Sequence, residues 1–266
     1  MSRVLGLVRD FFTAGFFGTS LAMSAFVVAF RIPNLFRALF GEGALSAAFI
    51  PVFIETRQKG GDAEGWLFAR KVITLVGLVL LLVVTACIGV ITLWMHRDGL
   101  GAKAAMILPL ARIMLPYTLF ICLAALSMGI LNSFHRFALP ASTPSLLNVV
   151  WILFVLFVCP RIGSTPEVQI YGLAWGVLVA GVVQLGFQIP TLMRYGYRPG
   201  LALDLRDKKV LRVFGLMGPA ALGSAVTQVN VMVNSLLAAW AAPWAPAALF
   251  YAERLLYFPQ GILATA

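Results

Sequence analysis

The 266-residue sequence is 61% hydrophobic and only 11% charged, and it carries a formal net charge of +10 at pH 7. Soluble domains usually contain about a quarter charged residues and just under half apolar ones, so this composition excludes an ordinary soluble domain. Apolar stretches recur along the whole chain. They predict an all-α fold, a polytopic transmembrane helical bundle rather than a soluble domain with one anchor.

Eight membrane segments are predicted, given that a helix needs roughly 20 residues to cross the hydrocarbon core. The second segment is too long for one straight helix, and Pro33 and the Gly41–Gly43 pair are the expected breaks. In chain order the predicted segments are Arg3–Gly18, Leu21–Ile54, Val72–Met95, Ala104–Ser133, Ser145–Cys159, Tyr171–Met193, Val213–Ala239 and Trp244–Ala266.

Basic residues are unevenly divided between the predicted connections. Eleven follow segments two, four and six, and three follow segments one, three, five and seven. The positive-inside rule therefore predicts a cytoplasmic N-terminus for this multi-pass membrane protein. The run "DLRDKKVLR" from Asp204 is interpreted as a solvated cytoplasmic loop, with anionic lipid contact as a second interpretation and no nucleic-acid partner expected.

The sequence lacks the usual signatures of catalysis. No HExxH motif, Walker loop or dinucleotide fingerprint occurs. His96 and His135 are far apart, and Cys87, Cys122 and Cys159 lie in separate apolar segments, where they are expected to be small packing residues. We therefore predict no catalytic residue, no metal and no cofactor, and a protein that is not an enzyme.

Charges inside the apolar segments are the most informative feature. Three are the acids Asp10, Glu42 and Glu253. Six are arginines: Arg3, Arg9, Arg31, Arg37, Arg112 and Arg254. An arginine at the bilayer centre costs at least about 2.5–3.5 kcal/mol, so such side chains normally face a bundle interior or an aqueous cavity. Guanidinium groups bind phosphate and carboxylate through two parallel hydrogen bonds. The pattern predicts a basic central cavity for an anionic ligand, a phosphate or pyrophosphate.

Several of these charges also have a purely structural interpretation. Arg3 and Arg112 could extend to a membrane interface, and Arg31 could lie at an interface or at the helix break. Arg9 and Asp10 could form a local, charge-compensated pair. These alternatives leave the cavity hypothesis open for each residue.

Polar residues around the expected helix break also have structural interpretations. Glu42 could neutralise Arg37 or cap broken backbone. Asn34 could satisfy the backbone groups freed by Pro33. Of the set, Arg37 is the hardest to explain without a ligand, because it lies deeper in its segment.

A short internal repeat favours transport. "AFRIPNLF" from Ala29 and "AERLLYFP" from Ala252 align on Ala-x-Arg, which places Arg31 and Arg254 at corresponding positions. Glu253 and Arg254 need not pair, because adjacent residues of a helix point about 100° apart. Segments seven and eight would thus restart the pattern of segments one and two.

Parallel repeats of six segments are common in transporters, with the ligand between the two units. The corresponding domain prediction is a first six-helix lobe over residues 1–200, a basic cytoplasmic loop over 201–212, and the first two helices of a second lobe over 213–266.

Five stretches carry a family resemblance: "SRVLGLVRD", "AFRIPNLFRALFGEGALSAAFIPVF", "LPYTLFICLAALSMGILNSFHRFALPASTPSLLN", "GPAALGSAVTQVNVMVN" and "YAERLLYFPQGIL". They resemble the MurJ (MviN) lipid II flippases of the multidrug/oligosaccharidyl-lipid/polysaccharide exporter superfamily. The resemblance implies fourteen helices in two six-helix lobes plus a C-terminal pair. It also implies alternating-access movement of undecaprenyl-pyrophosphate-linked peptidoglycan precursor, lipid II, from the inner to the outer leaflet.

The same resemblance implies roles for individual residues. The family's cavity arginines, which bind the pyrophosphate, match Arg3, Arg9, Arg37 and Arg254. Other polar positions of these motifs match Asp10, Asn34, Glu42 and Glu253, and a position that holds Lys or Arg matches Arg31. The implied location is the bacterial inner membrane. The implied partners are lipid II, membrane lipids and, as candidates, cell-wall synthesis proteins.

The chain also departs from the family pattern. Ser24 stands where family members often have Asp, and Tyr257 stands where some have Glu, so the cavity is expected to be more positive. The resemblance covers about half of a flippase, and against the family pattern we expect the first helix to be shortened and only the start of the second lobe to be represented.

The sequence is also compatible with other functions. A flippase for O-antigen or another polyprenyl-linked glycan would share the anionic headgroup, and a half-transporter or scaffold would not transport. A cation-exporting drug antiporter should instead have an acidic cavity. A lipid-phosphate hydrolase or glycosyltransferase would need an acid/base or metal constellation in a loop, and none is found.

Overall fold

A computed structural model of the chain describes residues 2–38, 45–97 and 99–263. These residues form helices and no strand, which confirms the all-α prediction. The helices are α1 (Ser2–Phe17), α2 (Leu21–Phe36), α3 (Leu45–Met95), α4 (Ala102–Met114), α5 (Tyr117–Ser133), α6 (Ala138–Leu153), α7 (Cys159–Ile162), α8 (Pro166–Arg194), α9 (Lys208–Ala241) and α10 (Ala245–Leu263).

The chain reverses direction within α3. Gly61 interrupts the helix with φ 78° and ψ 178°, a conformation that glycine adopts without steric cost because it has no Cβ. Phe49 stacks on Phe68 with 5.7 Å between ring centroids, and Phe53 meets Trp66 at 5.9 Å, so the two halves run back along each other. The sequence predicts a loop between segments two and three. The structure has the reversal at this place, but the chain around Gly61 is helical.

The second predicted segment is divided, but not at Pro33. α2 continues through the buried Pro33 to Phe36, and a wider π turn follows at residues 37 and 38. The prediction of a break at Pro33 is therefore wrong. A single proline can be accommodated where neighbouring helices and local widening satisfy the freed backbone groups. Gly41, Glu42 and Gly43 lie outside the described residues.

The eight predicted segments correspond to described helices. They match α1, α2 with the first half of α3, the second half of α3, α4–α5, α6–α7, α8, α9 and α10. By length and hydropathy, four described stretches could cross a membrane, or five if α9, bent by 46°, is counted as one span. The fifth segment begins at Ala138 instead of Ser145, and α9 begins at Lys208, inside the predicted 201–212 loop.

The bundle core lies around α8, which packs on α5 and α6. Small residues allow this close approach. A Cβ at Gly181 would lie 2.7 Å from Cδ2 of Tyr117 and 3.2 Å from Cβ of Phe120. A Cβ at Gly176 would meet the Phe154 ring at 2.8 Å, within the π turn that joins α6 to α7. Large aromatic side chains therefore fill the space that these glycines leave.

Ion pairs connect the start of α9 to α3. Lys71 bonds to Asp204 at 2.9 Å and to Asp207 at 2.8 Å, and Arg212 bonds to Glu55 at 2.8 Å. The hydrogen bond from Lys71 lowers the pKa of Asp204. Burial would raise the pKa of Asp207, but the bond from Lys71 and those from backbone amides lower it on balance. Both acids thus stay ionised near neutral pH and hold this end of α9 in place.

The close contact at Gly181 generates a stability prediction. Gly181→Ala should lower the stability of the bundle by about 1–3 kcal/mol, because the new methyl group overpacks the α5–α8 contact. The measurement is the thermal unfolding midpoint of the purified protein in detergent. The matched control is Gly186→Ala, on the same helix with nothing within 4 Å of its Cβ. Greater helix propensity should there stabilise by up to about 1 kcal/mol, and equal effects at both sites would contradict the packing account.

Candidate functional site

Arg9 is buried in the interior of the bundle, where α1 faces α6. Its Nε and Nη2 donate to Asp10 Oδ1 at 2.8 and 2.6 Å, and its Nη1 donates to Asn148 Oδ1 at 3.0 Å. The guanidinium lies 4.7 Å from the ring centroid of Trp151, a cation–π contact. The local-pair interpretation of Arg9 and Asp10 is confirmed, and each is about nine-tenths buried. A buried arginine is tolerated here because its charge is paired and its donors are occupied.

Trp151 fixes the position of this pair. Its Nε1 donates to Thr13 Oγ1 at 3.0 Å, and the Thr13 hydroxyl donates to the Arg9 carbonyl at 2.7 Å. The Trp151 ring also makes edge contacts with Phe26 and Phe30 of α2, at centroid distances of 5.3 and 5.6 Å. One aromatic side chain thus connects α1, α2 and α6 behind the charges.

α10 brings further charges against α1 and α2. Arg254 Nε lies 3.8 Å from Asp10 Oδ2, which is an ion pair without a hydrogen bond. Glu253 Oε2 accepts from Arg31 Nη2 at 3.0 Å. Glu253 and Arg254 therefore pair with different helices, as their 100° separation indicated. We call these five residues, Arg9, Asp10, Arg31, Glu253 and Arg254, the charge cluster.

The charge cluster has one net positive charge, since three arginines face two carboxylates. Its arginines differ in accessibility. The Arg254 side chain is 47% exposed, whereas those of Arg9 and Arg31 are 7% and 19% exposed. Arg254 is thus the cationic group of the cluster most open to an anionic ligand.

A cavity of about 540 Å³ lies between α1 and α10 beside the charge cluster. Three of its lining residues carry polar side chains: Asp10, Tyr251 and Arg254. The others are Leu7, Val8, Phe11, Phe12, Ala14 and Leu255. The accessible surface of the cavity is almost entirely apolar, and charged residues border it, a combination suited to an amphiphile with an anionic headgroup.

The remaining predicted site residues lie elsewhere or cannot be placed. Arg37 Nε bonds to Asn34 Oδ1 at 3.3 Å at the end of α2, and Arg37 is not among the residues that line the α1–α10 cavity. The side chain of Arg3 and the whole of Glu42 lie outside the described residues. Arg112 is exposed near the end of α4.

Two polar contacts position the start of α10. The backbone N–H of Ala247 donates to Ser24 Oγ at 3.4 Å, and Lys103 Nζ donates to the carbonyl of Ala239, near the end of α9, at 2.6 Å. The departure from the family pattern at Ser24 thus lies at the contact between α2 and the first turn of α10. Tyr257, the other departure, is exposed.

Sequence reasoning missed Thr13, Asn148, Trp151 and Tyr251. A signal was available for Asn148, which is a polar amide in the apolar segment predicted from Ser145 to Cys159. Thr13 and Trp151 carried no comparable signal, because they resemble ordinary packing residues of a membrane helix. Among the described residues, no group of three or more His, Cys, Asp or Glu side chains could hold a metal.

Comparisons with known proteins agree with one another. The family model described as lipid II flippase MurJ matches residues 13–266. The lipid II flippase MurJ of Burkholderia cenocepacia is 38% identical, and the probable lipid II flippase MurJ of Vibrio cholerae is 37% identical. Each alignment covers 100% of this chain and 52% of the relative. The chain therefore spans about half the length of the curated relatives it matches.

Solved structures show the same fold. A lipid II flippase MurJ in an inward closed conformation superposes with a TM-score of 0.81 at 26% identity, over 100% of this chain and 54% of that one. An inward-facing multidrug resistance MATE family transporter of the MOP superfamily superposes with a TM-score of 0.70 at 16% identity, over 94% of this chain and 56% of that one. The second likeness concerns the fold alone.

The buried pairing of Asp10 generates the second prediction. Asp10→Ala should destabilise the protein by about 3–5 kcal/mol, because it leaves Arg9 buried without its counter-charge. The measurement is again the thermal midpoint in detergent. The control is Asp62→Ala, which removes an exposed pair with Arg57 and should cost only about 0–1 kcal/mol. Similar losses for the two variants would show that Asp10 does not hold the cluster together.

Proposed function

This chain belongs to the lipid II flippase MurJ family, and we propose that it forms the lobe of a transporter that binds a lipid-linked pyrophosphate. The proposed substrate is lipid II, the undecaprenyl-pyrophosphate-linked peptidoglycan precursor. MurJ flippases are transporters and not catalysts, so the residues of the site bind and release the substrate without making or breaking a bond.

The observation that carries this proposal is the cavity between α1 and α10. Its apolar walls suit an isoprenoid chain, and one of its lining residues is Arg254, whose side chain is half-exposed and could contact an anionic headgroup. A guanidinium binds phosphate oxygens through charge-assisted, bidentate hydrogen bonds, which are about twice as strong as neutral ones. The single net positive charge of the cluster favours such an anion.

The arrangement around Arg254 explains how a headgroup could enter. The Asp10–Arg254 contact of 3.8 Å is an ion pair without a hydrogen bond, so a phosphate can approach Arg254 without breaking one. Arg9 is different, because Asp10 and Asn148 already accept from it. We therefore assign Arg254 to direct headgroup contact and Arg9 to holding Asp10 in place. Arg37, further along α2, is not among the residues that line this cavity, and we propose that it adds positive charge to the wider path of the headgroup.

Alternating access is the proposed transport step. The contacts Asp10–Arg254 and Arg31–Glu253 cross the boundary between α10 and the helices α1 and α2. This boundary would separate a first lobe, residues 1–200, from the start of a second lobe at residue 213. Rocking of the second lobe would exchange these ion pairs for contacts with the headgroup, while the lipid tail stays in the bilayer.

The proposed orientation places the N-terminus in the cytoplasm of a bacterial cell. The reversal in α3, the α5–α6 turn, and the end of α8 through the start of α9 contribute most of the basic residues outside the apolar interior. The opposite connections contribute Arg97, Lys103 and Arg161. The positive-inside rule favours the basic-rich side as cytoplasmic.

Complementation tests this function. In the product of the native gene, Arg254→Ala and Arg37→Ala should each abolish rescue of a flippase-depleted bacterial strain, because Arg254 lines the cavity and Arg37 is proposed to add positive charge to the path of the headgroup. The control is Arg198→Ala, an exposed position on the segment between α8 and α9, which should rescue like the unaltered protein. Growth is scored alongside the amount of protein in the membrane. Normal growth with well-expressed Arg254→Ala would overturn the assignment.

A further inference from the structure

Tyr251 carries a hydroxyl that the packing of the protein does not explain. The residue lines the cavity between α1 and α10 together with Asp10 and Arg254. Its hydroxyl oxygen is buried and has no hydrogen-bond partner among the described residues. A buried polar group without a partner lowers stability, so phenylalanine would pack at this position at lower cost. The neighbouring residue is a phenylalanine, Phe250, whose ring packs edge-on against Tyr251.

The orphaned side-chain atoms at this site share one chemical property. Besides the Tyr251 hydroxyl, Arg31 Nε is buried and has no hydrogen-bond partner within the described part of the chain, and both groups can donate a hydrogen bond. The nearby carboxylates are engaged, Asp10 by Arg9 and Arg254, and Glu253 by Arg31. Unpaired donors beside engaged carboxylates indicate a missing acceptor, which the oxygens of a phosphate supply.

Helical geometry places the tyrosine beside the group that would hold this acceptor. Tyr251 and Arg254 are three residues apart on α10, so their side chains lie on the same face one turn apart. That face meets α1, whereas Glu253 points to α2. An anion on Arg254 would therefore be adjacent to the tyrosine side chain.

We propose that Tyr251 is a substrate-contacting residue whose hydroxyl donates to a phosphate oxygen of the lipid-linked pyrophosphate on Arg254. The inference rests on the proposed function and adds a specific recognition contact to it. The hydroxyl distinguishes a phosphorylated lipid from an uncharged one of the same chain length, because only the former offers it an anionic acceptor. Binding of the apolar tail does not depend on the Tyr251 hydroxyl.

The test compares two probes on the purified product of the native gene, reconstituted in nanodiscs. The probes are geranylgeranyl pyrophosphate and geranylgeraniol, which share a chain and differ in the phosphates. Tyr251→Phe should weaken pyrophosphate binding about tenfold, the effect of losing one hydrogen bond to a charged group. Binding of the alcohol should stay unchanged. The thermal midpoint without probe should stay the same or rise, because an unpaired buried hydroxyl is removed.

Two further variants separate the outcomes. Tyr257→Phe removes an exposed hydroxyl on the same helix and should change neither affinity nor stability. Arg254→Gln should weaken pyrophosphate binding more than Tyr251→Phe does. If Arg254→Gln loses binding while Tyr251→Phe binds normally, the tyrosine inference is wrong and the proposed function stands. If the unaltered protein prefers the alcohol or binds neither probe, the proposed function fails and the inference with it. Equal weakening for both probes would assign Tyr251 to tail packing and overturn the contact.

Discussion

The Asp10 carboxylate is the contact on which the charged interior depends. One of its oxygens accepts two hydrogen bonds from Arg9, and the other faces Arg254 at 3.8 Å. The carboxylate thereby compensates the positive charges of Arg9 on α1 and Arg254 on α10 within apolar surroundings. Because Arg9 also bonds to Asn148, the same carboxylate connects α10 to α6 through two arginines. A membrane protein tolerates buried arginines only with such compensation.

The structure concentrates exchangeable contacts at one boundary. Behind Arg9, Trp151 packs against α2 and bonds to α1, so the first helices form a firm support. Toward α10, by contrast, two ion pairs make the charged contacts, and one of them lacks a hydrogen bond. A pyrophosphate can compete for these ion pairs, while Ala247 and Phe250 keep α10 packed in the hydrophobic core. These exchangeable ion pairs are the physical basis of the proposed mechanism.

The sequence predicted the parts of this arrangement that follow from one helix at a time. Charges in apolar segments must face inward, and the separation of Glu253 from Arg254 follows from helical geometry. The sequence predicted a loop around Gly61. The structure has a helical reversal there instead, which depends on aromatic contacts between the two halves of α3. The partnership of Arg9 with Asn148 joins residues 139 positions apart, so it depends on tertiary packing. Tyr251 was missed because it is unusual only in the structure, where its buried hydroxyl has no hydrogen-bond partner among the described residues.

Outer-leaflet exposure of lipid II in living cells tests the central claim most directly. Cells depleted of their own flippase would carry the native gene under inducible control, and lipid II accessible from outside would be quantified before and after induction. The account predicts that exposed lipid II rises to the level of cells with their own flippase. A protein that is abundant in the inner membrane while lipid II stays in the inner leaflet would contradict it.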